Sequence, residues 1–212
     1  GSGADTIEGL GGDDTLSGGV GTDTVSYATA TGAVTVNLSN SAATGVAGND
    51  SISLFENIVG PSVASSLVGD GGGNSILGGI ANDTIEGLEG DDTLSGAGGT
   101  DTLSYASATG AVTVNLSNSA ATGVAGTDTI LLFENIVGSS AASSLVGDGG
   151  GNSILGGAGA DTIEGLAGPD TLSGGLGTDT LSYASATGGV SVNLGSSTAT
   201  GVAGNDSISL FE

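Results

Sequence analysis

Large aliphatic residues recur every nine positions over much of this chain, and glycine-rich segments separate them. Residues 78–86 read GGIANDTIE, residues 87–95 read GLEGDDTLS and residues 96–104 read GAGGTDTLS. In each nonad an Ile or Leu at position eight lies between Thr, Ser or Glu residues, which is the alternation of a short strand with one inward side chain. The six preceding residues are rich in Gly and Asp and predict a tight turn. The pattern therefore predicts short strands joined by turns.

A longer repeat of 78 residues is superimposed on this rhythm. ADTIEGL begins at residue 4, NDTIEGL at 82 and ADTIEGL again at 160. The chain thus contains two full units and part of a third, with boundaries at 1–78, 79–156 and 157–212. A fixed period predicts one continuous solenoid in which each coil packs on its neighbours. Because the chain lacks an initial Met and stops within a unit, we expect it to be a segment of a longer protein.

Each unit also contains a stretch of 33 residues, such as 105–137, in which the nonads are less regular. AVTVNLS at 33–39 alternates apolar and polar residues as a strand does. Residues 45–53, 123–131 and 201–209 resemble nonads with degraded glycines. We place strand centres at residues 7, 16, 25, 36, 52, 58, 67 and 76, which gives eight strands per unit.

The composition narrows the chemistry that the chain can perform. Lys, Arg, His, Cys, Met and Trp are absent, and 23 acidic residues give a formal charge of −23. These absences exclude Ser-His and Cys-His nucleophiles, Schiff-base lysines and the usual zinc sites. They also remove any electrostatic attraction for nucleic acid or anionic lipid, and no apolar run is long enough to insert into a membrane. Carboxylates, hydroxyls and carbonyls remain, and these are the ligands of hard cations such as Ca²⁺.

The acids recur at position six of the nonads. Because turns on one side of a coiled chain stack every second nonad, we expect Asp5 to lie near Asp23 and Asp83 near Asp101. Two carboxylates about 5 Å apart repel by roughly 3 kcal/mol at an effective dielectric constant of 20. A Ca²⁺ ion between successive turns would convert this repulsion into attraction.

The template Gly-Gly-x-Gly-x-Asp-x-U-x, in which U is a large aliphatic residue, closely resembles the nonapeptide of the repeats-in-toxin (RTX) family. The resemblance implies an all-β fold, a right-handed parallel β-roll or β-helix solenoid with two short strands per coil. Eight strands would then make four coils per 78-residue unit and return each unit to the same face. The resemblance also implies several Ca²⁺ ions, each held between successive turns by position-six side chains and turn carbonyls.

The resemblance assigns the metal ligands to two sets of positions. The position-six residues of the regular nonads are Asp5, Asp14, Asp23, Asp83, Asp92, Asp101, Asp161, Asp170 and Asp179. The position-four glycines of the same turns are Gly3, Gly12, Gly21, Gly90, Gly99, Gly159 and Gly168.

Other position-six residues leave two interpretations open. Asn74 and Asn152 would form a weaker, asymmetric site with the neighbouring Asp92 or Asp170. Asp50, Asp128 and Asp206 follow degraded glycines and are either ligands or Asx-turn residues. At Ser65 and Ser143 the acid is lost, and we expect no metal there.

The remaining acidic and aromatic residues have simpler expected roles. Five acids are expected on the solvated surface: Asp13, Asp91, Glu8, Glu86 and Glu164. One Tyr and one Phe flank each insert and are expected to fill a wider core: Tyr27, Tyr105, Tyr183, Phe55, Phe133 and Phe211.

The resemblance implies a structural function. We expect a calcium-binding rod segment of a large secreted or cell-surface protein, such as an adhesin, a surface-layer or matrix protein or a filament. Such a protein would be exported by type I secretion and would fold on Ca²⁺ afterwards, and the segment would self-associate end to end or laterally. An ice-binding or other surface-recognition module is the alternative. An enzyme is disfavoured because the acids repeat identically, whereas hydrolysis by paired carboxylates needs one unlike pair.

Overall fold

The chain is all-β in the computed structural model of residues 1–212, as the repeats predict. It forms 24 short strands, none longer than six residues, and two 3-10 helices, Leu116–Asn118 and Leu194–Ser196. Each strand is short because a glycine-rich turn follows soon after its aliphatic residue. The two helices have only three residues each, so no helix is long and apolar enough to cross a membrane.

The strands are numbered in chain order. The first twelve are β1 (Thr6–Ile7), β2 (Thr15–Ser17), β3 (Thr24–Ser26), β4 (Val34–Asn37), β5 (Ala42–Gly45), β6 (Gly48–Ser53), β7 (Asn57–Val59), β8 (Ser66–Val68), β9 (Ser75–Gly79), β10 (Thr84–Glu86), β11 (Thr93–Ala97) and β12 (Thr102–Ser104). The remaining twelve are β13 (Val112–Asn115), β14 (Ala120–Gly123), β15 (Gly126–Leu131), β16 (Asn135–Val137), β17 (Ser144–Val146), β18 (Ser153–Gly157), β19 (Thr162–Glu164), β20 (Thr171–Gly175), β21 (Thr180–Leu181), β22 (Val190–Asn193), β23 (Thr198–Gly201) and β24 (Gly204–Ser209).

The chain divides into two compact units. Unit 1 comprises residues 1–102 and 126–133, and unit 2 comprises residues 103–125 and 134–212. In unit 1, sheet 1A has the strand order β1-β3-β7-β9-β11-β15 and is entirely parallel. Sheet 1B has the order β2-β6-β5-β4-β8-β10.

Unit 2 repeats this arrangement. Sheet 2A has the order β14-β13-β17-β19-β21, and sheet 2B includes β16-β18-β20-β24-β23-β22. In both units consecutive nonads alternate between two sheets, which is the organisation of a β-roll. The sequence boundaries at residues 78 and 156 stay a prediction about domain organisation.

The position-eight aliphatic residues form the core, in register from one strand to the next. In sheet 1A, Val25 pairs with Ile58 and Ile58 with Ile76. In sheet 1B, Val36 pairs with Leu67 and Leu67 with Ile85. Since successive side chains of a strand point to opposite faces, each three-residue strand places one aliphatic side chain in this core. All six residues are buried.

The insert runs differently from the expected degraded nonads. In unit 1 it forms an antiparallel meander, in which β4 pairs with β5 and β5 with β6, all within sheet 1B. Residues 45–48 are the turn of a hairpin, and residues 45–53 are therefore not a nonad coil. Unit 2 contains the same meander in β22, β23 and β24.

The meander corrects the expected count of four coils per 78-residue unit. The strands centred on residues 36 and 52 lie in the same sheet, so the chain crosses between the sheets seven times, not eight, between β1 and β10. An odd number of crossings places equivalent residues on opposite faces. Ile7 accordingly lies in sheet 1A, whereas Ile85, its equivalent 78 residues later, lies in sheet 1B. The expectation that each unit returns to the same face was wrong.

The core model predicts that Ile85→Ala destabilises the fold far more than Ile80→Ala. Ile85 is 0% exposed in the stack, whereas Ile80 is 76% exposed in the preceding turn. We expect Ile85→Ala to lower the free energy of unfolding by about 2–5 kcal/mol and Ile80→Ala to change it by less than about 0.5 kcal/mol. Denaturant unfolding in saturating calcium, followed by circular dichroism, measures both. Equal losses would show that position eight does not form the core.

Candidate metal sites in the stacked turns

The position-six carboxylates of successive coils are stacked and hydrogen-bonded to the backbone of the neighbouring coil. The Asp5 backbone N–H donates to Asp23 Oδ1 at 2.8 Å, and the Asp83 N–H donates to Asp101 Oδ1 at 2.7 Å. Both juxtapositions were predicted from the sequence. In unit 2 the Asp161 N–H donates in the same way to Asp179 Oδ1 at 2.8 Å. One oxygen of each accepting carboxylate is thereby occupied.

In seven of the stacked carboxylates the second oxygen is buried without a hydrogen-bond partner. This holds for Oδ2 of Asp14, Asp23, Asp83, Asp92, Asp161, Asp170 and Asp179. A buried carboxylate oxygen without a partner is costly, since neither water nor a donor replaces its hydration. The chain also has no Lys, Arg or His that could pair with it. A bound cation or a proton is the remaining way to satisfy these oxygens.

At several of these turns a backbone carbonyl lies close to the unpaired, or orphan, Oδ2 at the first glycine of the turn. A Cβ atom placed on Gly78 would lie 2.7 Å from Asp83 Oδ2 and 2.6 Å from the carbonyl oxygen of Gly96, one coil later. Glycine at position one therefore leaves the room in which both oxygens approach each other. The same arrangement surrounds Gly156, beside Asp161 Oδ2 and Gly174 O.

This donor set fits Ca²⁺. Carboxylate and carbonyl oxygens without nitrogen or sulfur are the ligands of hard cations, and Ca²⁺ takes six to eight of them in flexible geometry. No three acidic side chains converge closely enough to hold a metal by themselves. The turn carbonyls and water would have to complete each coordination sphere.

The position-four glycines bring the turns into close contact. Gly3, Gly12, Gly21, Gly90, Gly99 and Gly168 have φ between 111° and 148°, whereas Gly159 lies outside the left-handed region. A Cβ on Gly90 would lie 2.5 Å from Gly72 O in the adjacent coil. Gly21, Gly90, Gly99 and Gly168 thus combine a backbone conformation that only glycine adopts freely with close stacking. Their role as metal ligands stays a prediction.

Asp50 and Asp206 differ from the regular acids, because both of their oxygens are occupied. Asp50 Oδ1 accepts from the Asp14 N–H at 3.0 Å, and its Oδ2 accepts from the Tyr27 hydroxyl at 2.6 Å. Asp206 has the same two contacts, with the Asp170 N–H and the Tyr183 hydroxyl. Both acids lie in strands and not in Asx turns. Burial and the neighbouring carboxylate raise the pKa of Tyr27 well above its ordinary value, so the phenol keeps its proton.

Asp128 also lies in a strand, β15. Its carboxylate oxygen Oδ1 accepts from the Asp92 N–H at 3.1 Å.

Asn74 and Ser65 fill the position-six slot with internal hydrogen bonds. Asn74 Oδ1 accepts from the Asp70 N–H, and its Nδ2 donates to the Glu56 carbonyl oxygen at 2.9 Å. The Asn74 N–H donates to Asp92 Oδ1 at 2.8 Å, so the predicted neighbour is correct. Asn152 repeats these contacts beside Asp170.

The Ser65 hydroxyl donates to the Val63 carbonyl, and Ser143 likewise donates to the carbonyl of Ala141. These slots contain no orphan carboxylate oxygen.

Sequence reasoning missed Glu56 and Glu212. The Asp23 N–H donates to Glu56 Oε2 at 2.8 Å, and the Asp179 N–H donates to Glu212 Oε2 at 3.0 Å. Each Glu therefore occupies the place that a position-six Asp has in the regular coils. Asp50 accepts from the Asp14 N–H, whereas the Asp23 N–H donates to Glu56. The recurrence of Leu-Phe-Glu at the end of each insert is the signal that could have indicated them.

Several acids expected on the open surface cap backbone groups of the insert. Glu8 Oε1 accepts from both the N–H and the hydroxyl of Thr29, and Glu164 binds Ser185 in the same way. Asp13 and Asp91 accept from the N–H groups of Asn49 and Thr127. The expected aromatic packing is correct for Tyr27 and Phe55, which are buried.

Burial raises the pKa of the position-six carboxyls. The pKa of Asp92 is raised from 3.8 to about 6, mainly by burial and also by Asp128, while a hydrogen bond from the Asn74 N–H opposes the shift. The pKa of Asp170 is raised to about 6 for the same reasons. Burial likewise raises the pKa values of Asp83 and Asp161. Without a cation, these buried carboxyls therefore bind protons more tightly than exposed carboxyls do.

Comparison with known protein families agrees with this chemistry. The sequence model of the RTX calcium-binding nonapeptide repeat matches in four copies, over residues 1–27, 68–103 and 135–181. These segments cover just over half of the chain and contain most of the regular nonads. No curated protein matches the chain.

The site geometry predicts that Gly87→Ala weakens the fold and Gly71→Ala does not. A Cβ on Gly87 would lie 2.8 Å from Asp92 Cγ and displace its carboxylate, whereas no atom lies within 4 Å of a Cβ on Gly71. We expect Gly87→Ala to cost roughly 1–3 kcal/mol of unfolding free energy in saturating calcium and Gly71→Ala about 0.5 kcal/mol or less. Denaturant unfolding of the two variants measures this difference in unfolding free energy. Indistinguishable variants would contradict the assigned role of position one.

The raised pKa values predict an unusual pH dependence for the calcium-free chain. Because the folded pKa of Asp92 lies near 6 and its ordinary value is 3.8, protonation stabilises the fold. This stabilisation is complete below about pH 4 and is lost as the pH rises through about 6. We therefore expect β-structure in calcium-free buffer to increase as the pH falls from 7 to 4, and Asp92→Asn to reduce that dependence. Structure that is constant or decreases on acidification would contradict this prediction.

Proposed function

Because the chain belongs to the RTX calcium-binding nonapeptide repeat family, we propose that it is a calcium-dependent structural segment of a larger secreted or cell-surface protein. RTX repeats bind Ca²⁺ and occur in proteins that are exported by type I secretion. The all-β roll with its stacked acidic turns is a calcium-binding module of this kind. The proposal concerns what calcium does here, which residues hold it and what the segment supports.

The proposal rests on the buried Oδ2 atoms that have no hydrogen-bond partner. Seven buried carboxylate oxygens without a hydrogen-bond partner lie in a chain whose formal charge is −23 and which has no positive side chain. Each would repel its neighbours in the stacked turns. A Ca²⁺ ion between two turns would neutralise one carboxylate and draw in the adjacent carbonyl. Since the unfolded chain has no such preformed sites, the binding free energy would become folding free energy.

The regular nonads are the proposed sites. Five orphan oxygens belong to Asp14, Asp83, Asp92, Asp161 and Asp170, and the position-four glycines of the same turns are proposed to supply carbonyls. Asp5 and Asp101 complete the stacks as hydrogen-bonded neighbours. We do not assign ions to Asp50 or Asp206, because the Tyr27 and Tyr183 hydroxyls occupy their free oxygens.

Calcium dependence would link folding to export. Extracellular modules bind Ca²⁺ with dissociation constants of about 10⁻⁴–10⁻³ M, far above cytosolic calcium. A chain with this charge would therefore stay unfolded inside the cell and fold outside. The strict 78-residue repeat supports a structural rod of an adhesin, a surface-layer or matrix protein or a filament. Unpaired strand edges at the ends of such an array would favour continuation or self-association.

The proposal predicts that calcium induces the fold. In chelator at pH 7 we expect the circular dichroism spectrum of an unfolded chain, and millimolar Ca²⁺ should produce the β-sheet spectrum. Asp92→Asn should raise the midpoint calcium concentration, because it removes a buried ligand charge. Glu89→Gln is the matched control, since it removes one exposed charge from the same nonad. Full β-structure in excess chelator would refute the proposal, as would equal midpoints for the two variants.

A further inference from the structure

Each insert ends in a Leu-Phe-Glu segment that the nonapeptide pattern does not explain. In unit 1 these residues are Leu54, Phe55 and Glu56. The corresponding residues of unit 2 are Leu210, Phe211 and Glu212. Leu54 has a φ of 55°, a left-handed conformation that is unfavourable for a leucine side chain. Phe55 is buried and anchors the segment. A strained backbone held by a buried anchor fixes the orientation of the groups on either side of it.

The strained residue presents its carbonyl to the preceding coil. In a regular nonad, the first glycine of the turn faces its own position-six carboxylate and the carbonyl of the next coil, as Gly78 faces Asp83 Oδ2 and Gly96 O. At Gly18 the carboxylate is Asp23, whose Oδ2 lies 2.8 Å from the position of a Cβ. The carbonyl on this face is that of Leu54. Leu54 O therefore takes the place of a nonapeptide glycine carbonyl.

Glu56 takes the place of the next position-six acid. Its Oε2 accepts from the Asp23 N–H at 2.8 Å, the contact that an Asp makes in the regular stacks. Only one residue separates Leu54 from Glu56, whereas four residues separate the first glycine from the position-six Asp in a nonad. The additional methylene of Glu compensates for the missing turn residues.

An independent observation indicates a ligand at this place. Asp23 is 0% exposed, its Oδ2 has no hydrogen-bond partner, and the chain contains no cationic side chain. The same constellation occurs in unit 2. There Asp179 Oδ2 has no partner, and both this oxygen and Leu210 O face Gly174. The Asp179 N–H donates to Glu212 Oε2.

We propose that Asp23, the Leu54 carbonyl and Glu56 form a calcium site that lies outside the nonapeptide pattern, and that Asp179, the Leu210 carbonyl and Glu212 form its equivalent. The inference rests on the proposed calcium-binding function and adds two sites to it. Each site would join the end of the insert to the regular coil before it. The antiparallel meander would thereby be connected to the calcium-dependent stack.

Glu56→Gln and Glu212→Gln test the two sites separately. Glutamine keeps an oxygen that accepts from the Asp23 or Asp179 N–H but removes the charge. We expect each variant to lose one tightly bound Ca²⁺, or to bind one ion at least about tenfold more weakly, and the double variant to lose two. Isothermal titration calorimetry with Ca²⁺ and native mass spectrometry give the affinities and the stoichiometry. Glu8→Gln is the control, because the Glu8 carboxylate accepts from the N–H and hydroxyl of Thr29 and not from the N–H of a position-six Asp.

The outcomes separate this inference from the proposed function. If the unchanged chain binds no calcium, the proposed function itself fails. If it binds calcium and both Gln variants match Glu8→Gln in stoichiometry and affinity, only the sites at the ends of the inserts are refuted. Circular dichroism in saturating calcium shows whether each variant folds. If Glu56→Gln does not fold, Glu212→Gln alone decides.

Discussion

The stacking of buried carboxylates in successive turns is the constraint on which the rest of the structure depends. Most position-six Asp residues, such as Asp23, Asp92 and Asp101, accept a backbone N–H from the neighbouring coil through one oxygen, which fixes the spacing and register of the coils. The other oxygen remains buried without a donor. Like charges repeated at this spacing oppose folding by several kcal/mol in total. A chain without a single basic side chain can keep such an arrangement only if protons or cations compensate the charge.

The remaining sequence features follow from this constraint. Glycine at position one leaves room for the carboxylate, and glycine at position four allows the turns to stack, so little of each nonad is left for a core. One aliphatic residue per strand then supplies nearly all of the buried apolar surface, as Val25 and Ile58 do. The slots of Asp50 and Asn74 are satisfied without an ion, because the Tyr27 hydroxyl donates to Asp50 Oδ2 and the Asn74 amide donates to the Glu56 carbonyl oxygen. The protein thus alternates coils that need a cation with coils that do not.

The sequence predicts the local structure of the nonads but not the path of the insert. The position of Asp23 beside Asp5 and the inward direction of Val25 follow from a nine-residue period that stays in register. The meander could not be predicted, because the degraded glycines at residues 45–53 resemble a nonad turn but form a hairpin. Consequently the face of Ile85 was assigned wrongly. Glu56 was missed because its side chain reaches Asp23 from a shorter turn, which no fixed spacing describes.

The central claim is that cations, and not donors from the protein, satisfy the orphan carboxylate oxygens. A crystal structure of the calcium-loaded protein with anomalous scattering data tests this most directly. The account predicts anomalous peaks about 2.3–2.6 Å from Oδ2 of Asp83, Asp92 and Asp170, between successive turns. It predicts no peak beside Asp50, whose Oδ2 accepts from Tyr27. Ordered water without anomalous signal at these oxygens would contradict the account, as would calcium bound only to exposed acids such as Glu89.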